Sequence, residues 1–176
     1  ITPVDTCIIK ENIVDSLSMI NVYLQTDTIP GLAYSTKVNN KTYFNLYSQL
    51  VKSNFVFIFN SFEDKTTETD IIYIFDIPAA LGCYHIIDPS FNATFEGKTN
   101  AYFSNNDGDV IIDEYLLDTS RTDNRIEITR LDTLNKIVEG KFAISFVFAH
   151  NRPKRSPYNL ERMRFFNGIF RGKYTE

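Results

Sequence analysis

Cysteine, histidine and tryptophan are the scarce residues of this 176-residue chain, which holds two Cys, two His and no Trp. Two cysteines cannot form a structural zinc site by themselves. Any Ser-His-Asp or Cys-His catalytic arrangement must use either His85 or His150. The sequence also contains no glycine-rich phosphate-binding loop and no dinucleotide-binding fingerprint. It therefore lacks the residue patterns by which most enzymes and metalloproteins are recognised.

Long apolar runs and an excess of positive charge are also missing. No apolar stretch is long enough to span a bilayer as a helix. The net charge is −4 and the pI is about 5.2, which argues against nucleic acid as a partner. Hydrophobic residues nevertheless make up 43 % of the chain, so it is not a disordered acidic tail. The length suits one domain with a real core.

Phenylalanine and tyrosine are abundant, with 15 Phe and 10 Tyr. Both residues pack well on pleated, half-buried surfaces and favour strands. Short apolar or alternating segments recur between turn signals. This pattern predicts an all-β fold, an antiparallel β-sandwich of roughly 8–10 short strands, with a lipocalin-like barrel as the alternative. The sandwich domain is expected to span 29–176, and 1–28 is expected to pack on it or lead into it.

Local signals place several strands and turns. Segments 54–60 and 70–77 are apolar on both faces, which predicts interior strands. Pro78 should end the second strand, because proline cannot donate to a β-ladder. The pairs Asn39-Asn40 and Asp107-Gly108 predict hairpin turns.

The most regular pattern is a hairpin over 125–148. Asp132 should accept hydrogen bonds from backbone amides in a four- or five-residue loop that ends at Lys136. Gly140 interrupts the inward row and should mark a bulge or a close backbone approach. The residues predicted to face the core are Val138, Gly140, Phe142, Ile144, Phe146 and Phe148, and those predicted to point away from it are Glu139, Lys141 and Ser145.

This hairpin and the closing segment "FFNGIFRGKY" resemble a pattern in an uncharacterised all-β family of Bacteroidetes-type secreted lipoproteins. The resemblance covers about 80–176, and upstream of it "KVNNK", which includes Asn40, resembles the family's first hairpin. It implies an exported domain at the cell surface, outer membrane or periplasm, held to the membrane only through a lipid upstream of residue 1. It supplies no catalytic residue and no cofactor. The matching residues are Gly82, Tyr84, Asp132, Val138, Gly140, Phe142, Asn167, Gly168 and Phe170.

The cysteines and hydroxyl residues offer candidate modifications. Cys7 and Cys83 form one disulfide if the protein is secreted, and two buried free thiols are the alternative. Cys83 and His85 alternate on one predicted strand, but no third group is visible to orient a catalytic pair. Bacteria of the kind this resemblance suggests attach O-glycans at Asp-Ser/Thr followed by an apolar residue. That pattern occurs at three positions, Ser16, Thr28 and Thr133.

Two clusters of charge are candidate ligand sites. The aspartates within 107–113 form a cluster of carboxylates, which calcium prefers as ligands. Their spacing differs from that of an EF-hand loop, and Asp-Gly is also a common hairpin turn. The basic loop 149–162 is either an anion- or partner-binding element or a solvated loop. Some of the ten Tyr are candidates for a sugar-binding platform. The candidate metal ligands are Asp107, Asp109 and Asp113, and the candidate ligand-binding residues are Arg152, Lys154 and Arg155.

These features favour a non-enzymatic surface or periplasmic binding module with a glycan or a protein as its ligand. The alternatives are an accessory subunit of a surface assembly and a hydrolase. An unpaired sheet edge would favour the assembly, and a deep pocket with converging polar groups would favour the hydrolase.

Overall fold

The computed structural model describes residues 32–37, 40–62, 68–87, 98–157 and 159–176. Within them there are ten strands and no helix, and so no helix that could cross a membrane. The predicted N-terminal segment, 1–28, lies outside the described residues. The strands are β1 (Leu32–Lys37), β2 (Asn40–Val51), β3 (Asn54–Phe62), β4 (Glu68–Pro78), β5 (Gly82–His85), β6 (Asn100–Asp107), β7 (Val110–Leu117), β8 (Arg125–Asp132), β9 (Ile137–Phe148) and β10 (Arg162–Thr175).

All ten described strands belong to one hydrogen-bonded sheet in the order β1-β10-β2-β3-β4-β6-β7-β9-β8-β5. β10 also pairs with β9, so the pairings close into a ring that runs β2-β3-β4-β6-β7-β9-β10 and back to β2. β10 meets β2 through a short parallel contact, with Tyr174 opposite Ser48. The all-β prediction is confirmed. The closed ring corresponds to the barrel-like alternative, and the parallel contact departs from the purely antiparallel expectation.

Aromatic side chains fill the inside of the ring. On β3, Phe55, Phe57 and Phe59 are fully buried because alternate residues of a strand point to the same face. The ring of Phe59 lies 5.0 Å from that of Phe142 on β9, between ring centroids. Burying each such side chain stabilises the fold by about 1.5–3 kcal/mol. The core therefore occupies the interior, and a ligand site has to be sought on the outside.

The predicted hairpin is present as β8 and β9, joined by the four residues 133–136. All six residues predicted to face the core are buried. Asp132 Oδ1 accepts the backbone N–H of Asn135 at 2.9 Å, as predicted for the turn. Gly140 lies opposite Phe170, and Gly168 lies opposite Phe142, within a bulged stretch of β10. Each glycine leaves room for the facing ring, which confirms the predicted close approach.

One expectation for this hairpin failed in part. Ser145 alternates with the core residues Ile144 and Phe146, as predicted, but its face is covered rather than in water, and it is only 4 % exposed. β9 pairs with β8 up to Ala143 and with β7 from Phe146, which leaves a gap in the ladder. The segment 118–124 fills that gap, because Asn124 Oδ1 accepts the Ser145 N–H at 2.8 Å and Ser145 O accepts the Asp118 N–H at 2.8 Å. A tertiary contact therefore covers a position whose local pattern predicts exposure.

Candidate functional site

A row of uncharged side chains crosses the outside of the ring. Its members lie directly opposite one another on five neighbouring strands and alternate with the core residues of those strands. Directly opposed residues have Cβ atoms about 4.5–5.5 Å apart, so the row is continuous. The tyrosine row, as we call it, consists of Tyr47, Ile58, Tyr73, Tyr102 and Leu116.

The row contains aromatic rings in contact with one another. Tyr73 and Tyr102 have ring centroids 5.9 Å apart, and Tyr73 is stacked on Phe75 at the same centroid distance. Tyr47, at the β2 end, is 49 % exposed. Tyr47 and Tyr73 therefore offer aromatic surface outside the core, whereas Tyr102 is only 5 % exposed.

A groove of about 310 Å³ lies at the β6–β7 end of the tyrosine row. It runs over the outer faces of β4, β6 and β7, where apolar walls meet several polar side chains. That combination is typical of small-ligand sites, which orient a ligand with a few polar groups. The outer groove is lined by Ile71, Tyr73, Tyr102, Ser104, Asn106, Asp109, Ile111 and Glu114.

Glu114 is the centre of a hydrogen-bond network in the groove. Its Oε1 accepts the Tyr102 hydroxyl at 2.9 Å, and its Oε2 accepts the Asn151 side-chain amide at 3.1 Å. Arg152 Nε lies 3.6 Å from the same Oε2. Burial raises the pKa of Tyr102, and the hydrogen bond to Glu114 raises it further, so Tyr102 remains a donor. Glu114 is therefore held in place by neighbours on three sides.

Three buried side-chain atoms have no hydrogen-bond partner in the described part of the chain, and all three belong to this outer face. They are Asn60 Oδ1, Asn106 Oδ1 and Arg152 Nε. Asn60 lies opposite Ile71 of the groove, Asn106 lines the groove, and Arg152 contacts Glu114. Leaving a buried polar atom unpaired costs about 1–3 kcal/mol, and native structures contain few such atoms. Their concentration on one face therefore needs an explanation.

The basic loop is anchored to β7 by a buried carboxylate, that of Asp113. Asp113 accepts the backbone N–H of Arg155 at 2.9 Å, the backbone N–H of Ser156 at 3.3 Å and the side-chain amide of Asn159 at 2.7 Å. Burial pushes the pKa of Asp113 upwards, but these hydrogen bonds outweigh it and hold the pKa below its ordinary value. Asn151 and Arg152 of the same loop contact Glu114 separately.

The structure brings two of the three predicted ligand-binding cations together, because Arg152 Nη2 and Arg155 Nη1 both donate to the backbone oxygen of Ile111, at 3.4 Å and 3.2 Å. Arg152 reaches the outer groove, as described above. Lys154 instead forms an ion pair with Glu161 at 3.0 Å, and its ammonium lies over the Phe148 ring. Of the three, Arg152 is therefore the one whose side chain meets a groove carboxylate.

The predicted calcium ligands are not brought together. Asp113 already accepts three hydrogen bonds from the basic loop, Asp107 is exposed at the end of β6, and Asp109 borders the outer groove. Across the described ranges, no three His, Cys, Asp or Glu side chains are grouped as a metal site would require.

Cys83 is buried on β5 and disulfide-bonded, so it is not a thiolate nucleophile for His85. Cys7 lies outside the described residues, and its pairing with Cys83 stays a prediction. Ser16 and Thr28 also lie outside the described residues. Thr133 is exposed in the β8–β9 loop, and its glycosylation stays a prediction.

A second pocket of about 310 Å³ opens near the end of β5, and two of its polar side chains, Asn124 and Arg121, are already engaged. Asn124 donates to the backbone oxygen of Asp118 at 2.9 Å, and Arg121 forms an ion pair with Asp123 at 2.9 Å. The outer groove, with its unpaired amide, is the stronger candidate for a ligand site.

The sequence contained only part of the signal for this site. Tyrosine was recognised as a possible sugar platform, but Tyr47, Tyr73 and Tyr102 were not distinguished from the other seven of the ten. Asn60 and Asn106 carry no sequence motif. Only their positions on β3 and β6 mark them. Whether a residue at such a position points outward is decided by the pairing register of the strands.

No family model, curated protein or solved structure matches this chain. The resemblance to secreted lipoproteins therefore stays a prediction.

Proposed function

We propose that this protein is a non-enzymatic binding module that holds a glycan in the outer groove. The observation that carries the proposal is that two buried carboxamide oxygens without a hydrogen-bond partner, Asn60 Oδ1 and Asn106 Oδ1, lie on one face, beside the Arg152–Glu114 ion pair. A ligand that forms hydrogen bonds with these atoms removes the free-energy cost of leaving them unpaired.

A glycan suits both halves of this face. The apolar face of a sugar ring packs on an aromatic side chain, and Tyr73 supplies such a ring beside the groove, supported by the Tyr102 ring, which is only 5 % exposed. A sugar hydroxyl both donates and accepts hydrogen bonds, and a carboxamide such as that of Asn106 does the same. The groove's volume of about 310 Å³ is at the lower end of the range for small-ligand sites, which suits one sugar unit.

The other two roles have weaker support. An accessory subunit that accepts a partner strand needs a long open sheet edge. Seven of the ten described strands close into a ring, and β5, the edge strand that ends the sheet order, has only four residues. A hydrolase needs converging catalytic groups, and the groove's Glu114 is already hydrogen-bonded to Tyr102 and Asn151.

Export to the cell surface, outer membrane or periplasm is part of the proposal. The disulfide-bonded state of Cys83 supports it, because disulfides persist in oxidising compartments. Attachment to a membrane through an upstream lipid, as the family resemblance implies, belongs to the same proposal.

The test is a glycan-array screen followed by calorimetry on the wild type and two variants. Tyr73→Ala removes a stacking ring, and Asn106→Leu removes the unpaired amide at similar volume. We expect both variants to bind at least about tenfold more weakly, a loss of about 1.4 kcal/mol. Asn106→Leu should also be more stable by about 1 kcal/mol in urea, because the unpaired buried amide is gone.

Leu134→Ala is the matched control, since Leu134 is 89 % exposed in the β8–β9 loop, outside the outer groove. It should bind like the wild type. Full affinity in Asn106→Leu, or the absence of any bound glycan on the array, would refute the proposal.

A further inference from the structure

We infer that the ligand is an extended, uncharged glycan chain that lies across the strands, from the outer groove along the tyrosine row to Tyr47. This inference rests on the proposed function and adds the length, direction and charge of the ligand.

The length follows from the strand register. Tyr102, Tyr73, Ile58 and Tyr47 are consecutive partners on β6, β4, β3 and β2. Neighbouring strands are about 4.8 Å apart, so the row from β6 to β2 spans roughly 14 Å. One sugar ring in the groove cannot cover that distance, whereas a chain can place successive rings on successive side chains.

Hydrogen-bonding groups accompany the apolar row. Asn60 lies two residues beyond Ile58 on the outer face of β3, and its Oδ1 has no partner in the described part of the chain. Residues two apart on a strand are about 6.8 Å apart, within the reach of a sugar hydroxyl from a ring packed on the row. Asn106 has the same role at the groove end. The two unpaired carboxamides thus lie at separate points along the path of the chain.

The charges on this face favour a neutral chain. The tyrosine row contains no charged residue. At the groove the positive and negative charges balance, because Arg152 is paired with Glu114, and the Arg155 guanidinium at Ile111 offsets the Asp109 carboxylate. Neither an acidic nor a basic sugar would therefore gain a net attraction there. Uncharged amides at Asn60 and Asn106 select hydroxyl groups rather than ions.

The test measures affinity for a length series of neutral oligosaccharides of glucose, xylose and mannose, each as the monosaccharide, disaccharide and hexasaccharide. In the wild type, the hexasaccharide of the preferred sugar should bind at least about tenfold more tightly than the disaccharide. Tyr47→Ala should remove most of this gain while leaving disaccharide binding unchanged. Tyr73→Ala should weaken both, and Leu134→Ala should weaken neither.

The length series on the wild type does not depend on any variant folding correctly. Equal affinity for the disaccharide and the hexasaccharide would overturn the inference, as would unchanged hexasaccharide binding in folded Tyr47→Ala. A charged hexasaccharide, of galacturonic acid or glucosamine, that binds as tightly as the neutral chains would also overturn the inference. In each of these cases, binding that depends on Tyr73 would leave the proposed function intact. If no oligosaccharide binds in a Tyr73-dependent way, the proposed function and the inference both fail.

Discussion

Gly140 and Gly168 show how single residues determine the packing of β9 against β10. Gly140 of β9 faces Phe170 of β10, and Gly168 of β10 faces Phe142 of β9. At Gly168, a Cβ atom would lie 2.5 Å from the ring of Phe142. The missing side chains therefore allow both rings to lie flat against the neighbouring backbone and remain buried.

Gly140→Ala should be strongly destabilising. Its Cβ would collide with the backbone oxygen of Glu127 and the ring of Phe170, and backbone atoms within a ladder cannot easily move. We expect the free energy of unfolding to fall by about 3 kcal/mol in urea denaturation. Gly108→Ala is the control, since nothing lies within 4 Å of its Cβ position and its positive φ alone should cost about 1 kcal/mol. Similar losses in the two variants would contradict this account of Gly140.

At the scale of elements, the basic loop is a polar segment that is fixed by hydrogen bonds instead of by apolar packing. Asp113 on β7 gathers two backbone amides and one side-chain amide of the loop. The same carboxylate is buried, so its hydrogen bonds replace the water that it has lost. The loop is consequently attached to the strand that also carries Glu114, the carboxylate of the outer groove.

This attachment should depend on pH. Because the pKa of Asp113 is lower in the folded protein than its ordinary value of 3.8, its contribution to stability is fully present above that value and is lost as the pH falls below it. We expect amide hydrogen exchange at Arg155 and Ser156, corrected for the intrinsic rate, to accelerate as the pH is lowered from about 5 to about 3.

The Asp113→Ala variant separates this carboxylate from the others. It should show fast exchange at the Arg155 and Ser156 amides at neutral pH and no further change on acidification. Its loop should also be cut by trypsin after Lys154 or Arg155 sooner than in the Asp107→Ala control, which removes an exposed carboxylate at the end of β6. Unchanged exchange in Asp113→Ala would refute the anchoring role.

The strands and turns were predictable because their signals are local. Pro78 ends β4, and Gly108 turns the β6–β7 hairpin with a φ of +60°. The outer face was not predictable in the same way. Segment 70–77 is apolar on both faces, so periodicity alone could not tell whether Ile72 or Tyr73 points into the core. Only closure of the ring decides this, through pairings between residues distant in sequence.

At the scale of the whole molecule, ring closure determines where function can lie. β10 contacts β1, β2 and β9, and it closes the ring where Tyr174 meets Ser48. Closure removes most of the open strand edges through which β-proteins recruit other strands. With the interior filled by aromatic rings, recognition is left to the outer faces and loops.

The last prediction concerns the covalent link that ties the ring to the rest of the chain. Cys83 is disulfide-bonded, and the other cysteine of the sequence is Cys7. An intramolecular Cys7–Cys83 bond would close a long loop and stabilise the protein by about 4 kcal/mol through the lowered entropy of the unfolded chain. Reduction should therefore lower the unfolding midpoint in urea, and Cys83→Ser should lower it equally without reductant.

Thiol labelling of the unfolded, unreduced wild type distinguishes the possible pairings. An intramolecular bond leaves no thiol to label and gives a monomer on a non-reducing gel. Two labelled thiols per chain would rule out the disulfide. A dimer that reduction dissolves would mean that the bond joins two chains. In that case no intramolecular loop is closed, and the stabilisation of about 4 kcal/mol expected from loop entropy would be absent.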